Sequence, residues 1–364
     1  MNAHQPVRSD DEWLPGDQPG PPLTALVRQR RGLVFGALAV ALALAVVVVA
    51  QRPAAPPSAG ARPSGSPAPS GIPFFGLFPL FAFDPDHQQV VLLDFRAQTW
   101  LWSNHQWTQA HAPVTPPART GAAVAWNPGL HAVQLFGGLA DGGQTLLRDT
   151  WAWNGSTWRE VGRGRLAPPA SLMSSMAYDV DLHEMVLVAS DIHFRAPIQL
   201  WTYDGMAWRQ RSVSGGPTSP VAAIGFDPRT RTMVAIAGDC AGFECRSQTW
   251  SWDGTAWRQL SPAEEPDFAF HSMALVPDPI SGRLLLVTTT SNSLGPAPMQ
   301  TWRWEGRDWV VLQLIGHPGA DLKIVGATGD NGAVFAFEDV SRDFNTLRLN
   351  AWEWTGNAWQ TIAP

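Results

Sequence analysis

Runs of apolar residues alternate with polar turn segments along most of the chain. Val- and Leu-rich runs such as VVLLDF and MVLVAS are continuously hydrophobic, which predicts strands buried on both faces. Each run is followed by a segment in which aromatic residues occupy every second position, as in Trp151-Ala152-Trp153. This period of two predicts a strand with both indoles on one face. The pattern indicates small sheets rather than helices.

The aromatic segment occurs six times at intervals of about 50 residues, and such a period is typical of propeller repeats. Every Trp except Trp13 and Trp126 lies within one of these copies. The first aromatic of the six copies is Trp100, Trp151, Trp201, Trp250, Trp302 and Trp352.

Two kinds of turn divide each repeat into four strands. Asp or Asn followed by Pro, as in Asp227-Pro228, forms the first turn, because the side chain caps the turn and Pro presets φ. A second turn such as Asn154-Gly155 or Asp253-Gly254 is a strong hairpin signal, because Gly accepts a positive φ. Six such repeats fill residues 73–364, so we predict an all-β, six-bladed propeller.

The repeated Trp residues are interpreted as structural. Burying one Trp side chain removes about 150–250 Å² from water, which corresponds to about 4–6 kcal/mol before entropy is subtracted. Six similar copies indicate a shared task in packing blade against blade. A ring of exposed, sugar-stacking Trp residues is the alternative interpretation.

The repeat resembles the kelch repeat. The resemblance rests on the strand end Gln134 to Gly138 (QLFGG), the segment Asp149 to Trp153 (DTWAW) and the closing Trp158. It is similar in particular to bacterial kelch proteins of the galactose-oxidase central-domain type, with divergent copies. The resemblance implies a propeller of about this blade number and no particular chemistry.

Residues 32–50, from Gly32 to Ala50, carry no charge and would span about 28 Å as a helix, close to the thickness of the hydrocarbon core. Arg28, Arg30 and Arg31 precede them, which places the N-terminus in the cytoplasm and the propeller outside. We therefore expect a single-pass membrane protein that contacts the membrane through this segment. A cleaved signal peptide, and hence a secreted protein, is the alternative.

The remaining N-terminal residues complete the domain organisation. Residues 1–31 are expected to form a disordered cytoplasmic tail, and residues 51–72 an extended Pro/Ala/Ser/Gly linker. The net charge of −6 argues against a nucleic-acid surface. Cys240 and Cys245 are expected to form a disulfide that closes a small loop, and no metal site or cofactor is predicted.

The loops after the second and fourth strands of each repeat are long and variable, and variable loops on a rigid scaffold carry function. We therefore place a binding site at that end of the ring. The polar candidates are Asp191, His193, Arg195, Asp239, Glu244, Arg246, Arg342 and Asp343. A solvated surface charge is the alternative interpretation for each of them.

The sequence favours a recognition module over an enzyme, with a protein or a cell-envelope glycan as ligand. The alternative is a carbohydrate-active enzyme of epimerase or lyase type on the same face. Galactose-oxidase chemistry is not supported, because the only tyrosines, Tyr178 and Tyr203, occupy repeat positions. Because no strand is left over at either chain end, we expect the ring to close by side-chain packing alone. Phe74, Phe75 and Phe78 would face aromatics of the 302–354 region there.

Overall fold

The computed structural model describes residues 72–73, 80–140, 145–162, 164, 166–171, 174–189, 198–241, 244–267, 273–289, 299–314, 322–325, 334–339, 346–347 and 349–362. The predicted tail, membrane helix and nearly all of the linker lie outside these residues. The described part contains strands and turns, and it holds no helix that is long and apolar enough to cross a membrane.

Six antiparallel sheets follow one another along the chain; each contains a simple four-stranded meander, and the sheet of blade 2 has a short fifth strand. The strands of blades 1 to 3 are Leu80–Asp84, Gln89–Leu93, Thr99–Ser103 and Gln106–Ala110; Ala123–Asn127, Ala132–Ala140, Leu146–Trp153 and Trp158–Val161; and Ser174–Asp179, Glu184–Ala189, Gln199–Tyr203 and Trp208–Arg211. Those of blades 4 to 6 are Val221–Asp227, Thr232–Ala241, Glu244–Trp252 and Trp257–Gln259; Met273–Asp278, Arg283–Thr289, Met299–Trp304 and Trp309–Val311; and Leu322–Val325, Phe335–Asp339, Leu349–Trp354 and Trp359–Ile362.

The first strands of the six blades form a closed ring. Each first strand contacts the first strand of the next blade, and that of blade 6 returns to contact that of blade 1. The second strands are almost wholly buried, whereas the fourth strands are largely exposed and therefore lie outermost. The chain is thus a six-bladed β-propeller, as the repeat pattern predicts.

The hydrophobic core is divided among the six interfaces between blades. In each interface the aromatic residues of one blade pack against the second strand of the preceding blade; Trp302, Trp304 and Trp309, for example, pack on Val234 and Ile236. The same arrangement recurs around the ring. Most of the repeat Trp side chains are buried and none is exposed, as expected of residues that pack blade against blade.

The doublet Gly137-Gly138 forms a bulge in the second strand of blade 2. Both residues have positive φ, and a Cβ on Gly138 would lie 2.7 Å from the carbonyl oxygen of Thr120. This close approach arises because a short extra strand, Arg119–Thr120, pairs beyond the bulge with Leu139 and Ala140. Blade 2 alone carries such an extra strand among the described residues, which accounts for the doublet there.

The closure of the ring differs from the expectation in one respect. Both terminal blades have four strands of their own, as predicted. However, Ile72–Pro73 pairs with Thr346–Leu347 of the sixth repeat in a separate two-stranded ladder, so backbone hydrogen bonds do cross the seam. This ladder forms because the chain before blade 1 passes the loop between the second and third strands of blade 6.

The described aromatic residues at the seam come from blade 1 and from the 302–354 region of blade 6. Trp102 of blade 1 packs edge-on against Phe335 and Phe337 of blade 6, with ring centroids 5.0 and 5.3 Å apart. Trp354 packs instead within the interface between blades 5 and 6, because the aromatic face of every blade is turned to the preceding blade. Phe74, Phe75 and Phe78 lie outside the described residues.

Candidate functional site

The two ends of the ring differ in their connections. The turns between first and second strands and between third and fourth strands lie at one end, called here the turn face. The connections between second and third strands, and between successive blades, lie at the other end, the long-loop face. The alternation follows from the meander order of every blade.

The turn face is built from one contact that recurs around the ring. In blades 1 to 5 the buried Asp or Asn at the end of the first strand caps its turn; Asp227 Oδ1, for example, accepts from the backbone N–H of Arg229 at 3.1 Å. The Gly of the hairpin in the next blade packs on this turn with a φ near +90°, as Gly306 does on Thr230. A contact repeated so regularly indicates scaffold rather than a binding site.

Among the described residues, two hairpins extend the long-loop face. In blade 3 the pairing of the second and third strands ends at Ala189 and Gln199. In blade 4 it continues beyond the equivalent pair by four further pairs, Gly238–Ser247, Asp239–Arg246, Cys240–Cys245 and Ala241–Glu244. At about 3.4 Å per residue the blade 4 hairpin projects by about 14 Å. The hairpin of blade 2 is also longer, reaching the pair Leu139–Leu146.

The blade 4 hairpin carries the predicted binding residues that can be placed. Asp239 and Arg246 are directly opposite each other, and both side chains are exposed. The backbone of Glu244 lies next to the hairpin tip. Asp191, His193, Arg195, Arg342 and Asp343 lie outside the described residues, so their grouping stays a prediction. The structure thus brings three of the eight candidates onto one projecting element.

The two cysteines face each other in register near the tip of this hairpin. Cys240 and Cys245 are backbone partners, one pair below the end of the ladder. Paired residues of antiparallel strands have Cα atoms about 4.5–5.5 Å apart, which lies within the range that a disulfide needs. Sequence spacing alone did not reveal that the two residues are cross-strand partners.

A buried ion pair at the base of the blade 2 hairpin was missed by sequence reasoning. Both terminal nitrogens of Arg119 donate to the carboxylate of Asp149 at 2.7 Å, and Nη1 also donates to the Gly137 carbonyl at 2.8 Å. Trp151 Nε1 donates to Asp149 Oδ2 at 2.7 Å. Burial acts to raise the pKa of Asp149, but the bonds from Arg119 and Trp151 outweigh it and hold the pKa below its usual value. The sequence contains one indication of this pair: the second repeat has Arg119 at the position where the third and fourth repeats have Ser171 and Ser219.

A second buried carboxylate organises the short loop of blade 1. Asp94 accepts from the backbone N–H groups of Arg96 and Gln98 at 2.8 and 2.7 Å and from Trp100 Nε1 at 3.2 Å. Burial raises the pKa of Asp94 in spite of these bonds. The exposed Arg96 guanidinium lies 5.2 Å from the centre of the Phe95 ring. The loop combines a charged group with half-buried aromatic residues on the long-loop face.

The described residues contain no group of three or more His, Cys, Asp or Glu side chains that could hold a metal ion. The described part of the long-loop face exposes three charged side chains that can form hydrogen bonds: Asp239 and Arg246 on the hairpin, and Arg96 in blade 1. These groups suit recognition of a polar ligand.

Comparisons with known proteins support the fold. No protein-family model matches the chain, and no curated protein is significantly similar to it. A solved structure of an Aleuria aurantia lectin mutant in complex with Fucα1-6GlcNAc is 11% identical, with a TM-score of 0.53, and the match covers 80% of this chain and 97% of that one. The SapL1 lectin in complex with α-methyl fucoside is 12% identical, with a TM-score of 0.51 and coverage of 78% and 94%.

A mutant of AofleA from Arthrobotrys oligospora is similar to the same degree, with 15% identity, a TM-score of 0.51 and coverage of 79% and 88%. At these identities the likeness shows the fold alone. The class of protein that follows is a six-bladed β-propeller, and the resemblance of its repeats to kelch repeats stays a prediction.

Proposed function

We propose that the propeller is a recognition module that binds a cell-envelope glycan through its long-loop face. The observation that carries this proposal is the blade 4 hairpin, which projects beyond the ring and presents the opposed, exposed charges of Asp239 and Arg246. A carboxylate and a guanidinium side by side can hydrogen-bond to the hydroxyl groups of a saccharide. The likeness in fold to lectin structures that hold fucosides supports the choice of a glycan over a protein ligand.

The test uses the full chain in detergent, applied to an array of bacterial and fungal glycans that includes α-fucosides. We expect binding to a restricted set of glycans. The double variant Asp239→Ala/Arg246→Ala should lose most of it, whereas Arg307→Ala, an exposed arginine on the turn face, should not. Equal loss in both variants, or no glycan bound while an envelope protein is captured, would overturn the proposal. Conversion of a bound glycan would support the alternative of a carbohydrate-active enzyme.

We further propose that residues 32–50 anchor the protein in the membrane, with the N-terminus cytoplasmic and the propeller outside. The support is the uncharged length of this segment and the arginines before it. Protease added to intact cells should digest the propeller while an N-terminal tag stays protected. Intact-mass analysis of the isolated protein should show residues 1–50 retained; their loss would support the secreted alternative.

We also propose that Cys240 and Cys245 form a disulfide, which would fasten the tip of the projecting hairpin. Their cross-strand register supports it. Thiol alkylation followed by mass spectrometry should leave the non-reduced protein unmodified and should add two groups after reduction. Labelling of both residues without reductant would contradict the pairing.

Finally, we infer that the repeats are divergent kelch repeats, on the basis of the Gly137-Gly138 bulge and the Trp pattern. A sequence profile built from relatives of this chain should match kelch repeats. A match to another propeller repeat would contradict this inference.

A further inference from the structure

One hydrogen bond joins neighbouring blades at four of the six interfaces. The indole N–H of the closing Trp of one blade donates to the hydroxyl of the Thr that precedes the first Trp of the preceding blade. The bonds are Trp158–Thr99 at 2.8 Å, Trp208–Thr150 at 2.8 Å, Trp309–Thr249 at 2.9 Å and Trp359–Thr301 at 2.9 Å. All of them are buried, so each replaces a lost contact with water.

The other two interfaces have no hydroxyl at the Thr position. Blade 3 carries Leu200 there, and Trp257 of blade 4 packs in the same cluster with its indole nitrogen buried and without a partner. Blade 6 carries Ala351, against which Trp107 of blade 1 packs. A buried N–H without an acceptor weakens the folded state, because the group has lost its hydrogen bonds to water.

These two interfaces lie opposite each other in the ring, one between blades 3 and 4 and the other between blades 6 and 1. From this we infer that the propeller consists of two three-blade halves, blades 1–3 and blades 4–6, which separate from each other at these joints before either half comes apart. The Trp–Thr bonds hold the blades together within each half and are missing at both joints.

Apolar and aromatic packing crosses these joints as it crosses the other four interfaces, so the difference lies in the polar contacts. Across the joint between blades 3 and 4, Arg231 pairs with Asp181 in solvent and Ser175 Oγ donates to the Val221 carbonyl at 3.1 Å. Across the seam the backbone ladder comprises two residues on each side. The interface between blades 4 and 5 is instead reinforced, because Thr249 Oγ1 also donates to Glu265 at 2.6 Å.

The inference can be tested by thiol labelling of cysteines placed at equivalent buried positions. Within blades 3, 4 and 5 the cross-strand partners of the Thr position are Val188, Ile236 and Val287, and each of them packs in the interface with the next blade. In a full-length Cys240→Ser/Cys245→Ser background, Val188→Cys should be labelled at least about tenfold faster than Ile236→Cys or Val287→Cys. Adding Leu200→Thr, which supplies the missing acceptor, should slow the labelling of Val188→Cys by about tenfold.

Equal labelling rates at the three positions, or no slowing by Leu200→Thr, would overturn the inference. Amide hydrogen exchange of the unmodified full chain provides a check that depends on no variant. With rising denaturant, the strands of blades 1–3 should open with one common free energy and those of blades 4–6 with another. A single free energy for all six blades would overturn the inference as well.

Discussion

Arg119 and Asp149 form a two-fold hydrogen-bonded ion pair in which the arginine side chain is fully buried and the carboxylate is partly exposed. The pair joins the short extra strand of blade 2 to the base of its projecting hairpin. Because the Arg119 guanidinium is shielded from water, its positive charge is neutralised by the carboxylate of Asp149 and not by solvent.

Asp149→Asn should therefore destabilise the propeller by about 3 kcal/mol, because it leaves a buried positive charge without a counterion. Asp181→Asn is the matched control, since it breaks the solvent-exposed pair with Arg231 and should change the free energy of unfolding by less than about 1 kcal/mol. Urea denaturation followed by tryptophan fluorescence measures both. Similar losses in the two variants would show that burial of Arg119 is not what makes its pair strong.

The indole hydrogen bonds can be weighed by replacing the closing Trp with Phe at two interfaces. Trp309→Phe removes a bonded N–H, whereas Trp257→Phe removes one that has no acceptor. Both variants lose the same volume, so we expect Trp309→Phe to be more destabilising by about 1–2 kcal/mol. The comparison is made on the free energy of unfolding. If Trp257→Phe were equally or more harmful, the unpartnered N–H would not be a weakness of its interface.

The hairpin glycines of the turn face differ in what surrounds them. Gly155 and Gly254 both have φ near +90°, but a Cβ on Gly155 would lie 2.4 Å from the His87 ring, whereas one on Gly254 would lie 4.0 Å from Leu182. Both alanine variants should lose about 1 kcal/mol from the backbone conformation. Gly155→Ala should lose more, because it displaces His87 from its bond to Asp84.

The combination with His87→Ala separates these two contributions. In a His87→Ala background, the additional loss caused by Gly155→Ala should fall to that of Gly254→Ala. A loss that stays the same with and without the histidine would show that the ring moves aside freely.

Stability at acid pH should depend on Asp253. Backbone bonds from Ala256 and the bonds from Thr255 lower the pKa of this carboxyl from 3.8 to about 2. A carboxyl with a lowered pKa stabilises the fold fully above its usual pKa, and that contribution is lost as the pH falls from about 4 towards 2. In the Asp253→Asn variant the free energy of unfolding should therefore fall less steeply between about pH 4 and pH 2 than in the unmodified protein.

Blade 2 provides the natural precedent for this variant, since Asn154 accepts the same kinds of turn bond from Ser156 and Thr157. Stability at neutral pH should accordingly change little. Urea midpoints measured from pH 2 to 7 test the prediction, and an unchanged acid limb would contradict it. Asp308→Asn, in the corresponding hairpin of blade 5 but three residues further along the turn, serves as a control for removal of a carboxylate that accepts a backbone N–H bond, from Ala263.

The amino-acid sequence by itself determined the blades. A period of two places Trp151 and Trp153 on one face, and Asp-Gly and Asn-Gly turns reverse the chain, because both effects act between residues close together in the chain. Six copies of that pattern specify six sheets, and the number of buried Trp side chains requires packing of sheet on sheet. The predicted binding hairpin is also local, since Asp239 and Arg246 lie seven residues apart in one loop.

Only the tertiary structure decided how the blades meet. Leu200 and Trp257 belong to one cluster only because blade 4 packs on blade 3. The residues next to either of them in the sequence do not indicate that the indole N–H of Trp257 lacks an acceptor. The pairing of Ile72–Pro73 with Thr346–Leu347 joins the two ends of the chain, and it depends on the ring having closed. Arg119 binds Asp149 next to a β-bulge, which the alternating strand pattern of the sequence does not predict. Such contacts depend on distances set by the whole ring, whereas the strands and turns depend on the conformational preferences of a few neighbouring residues.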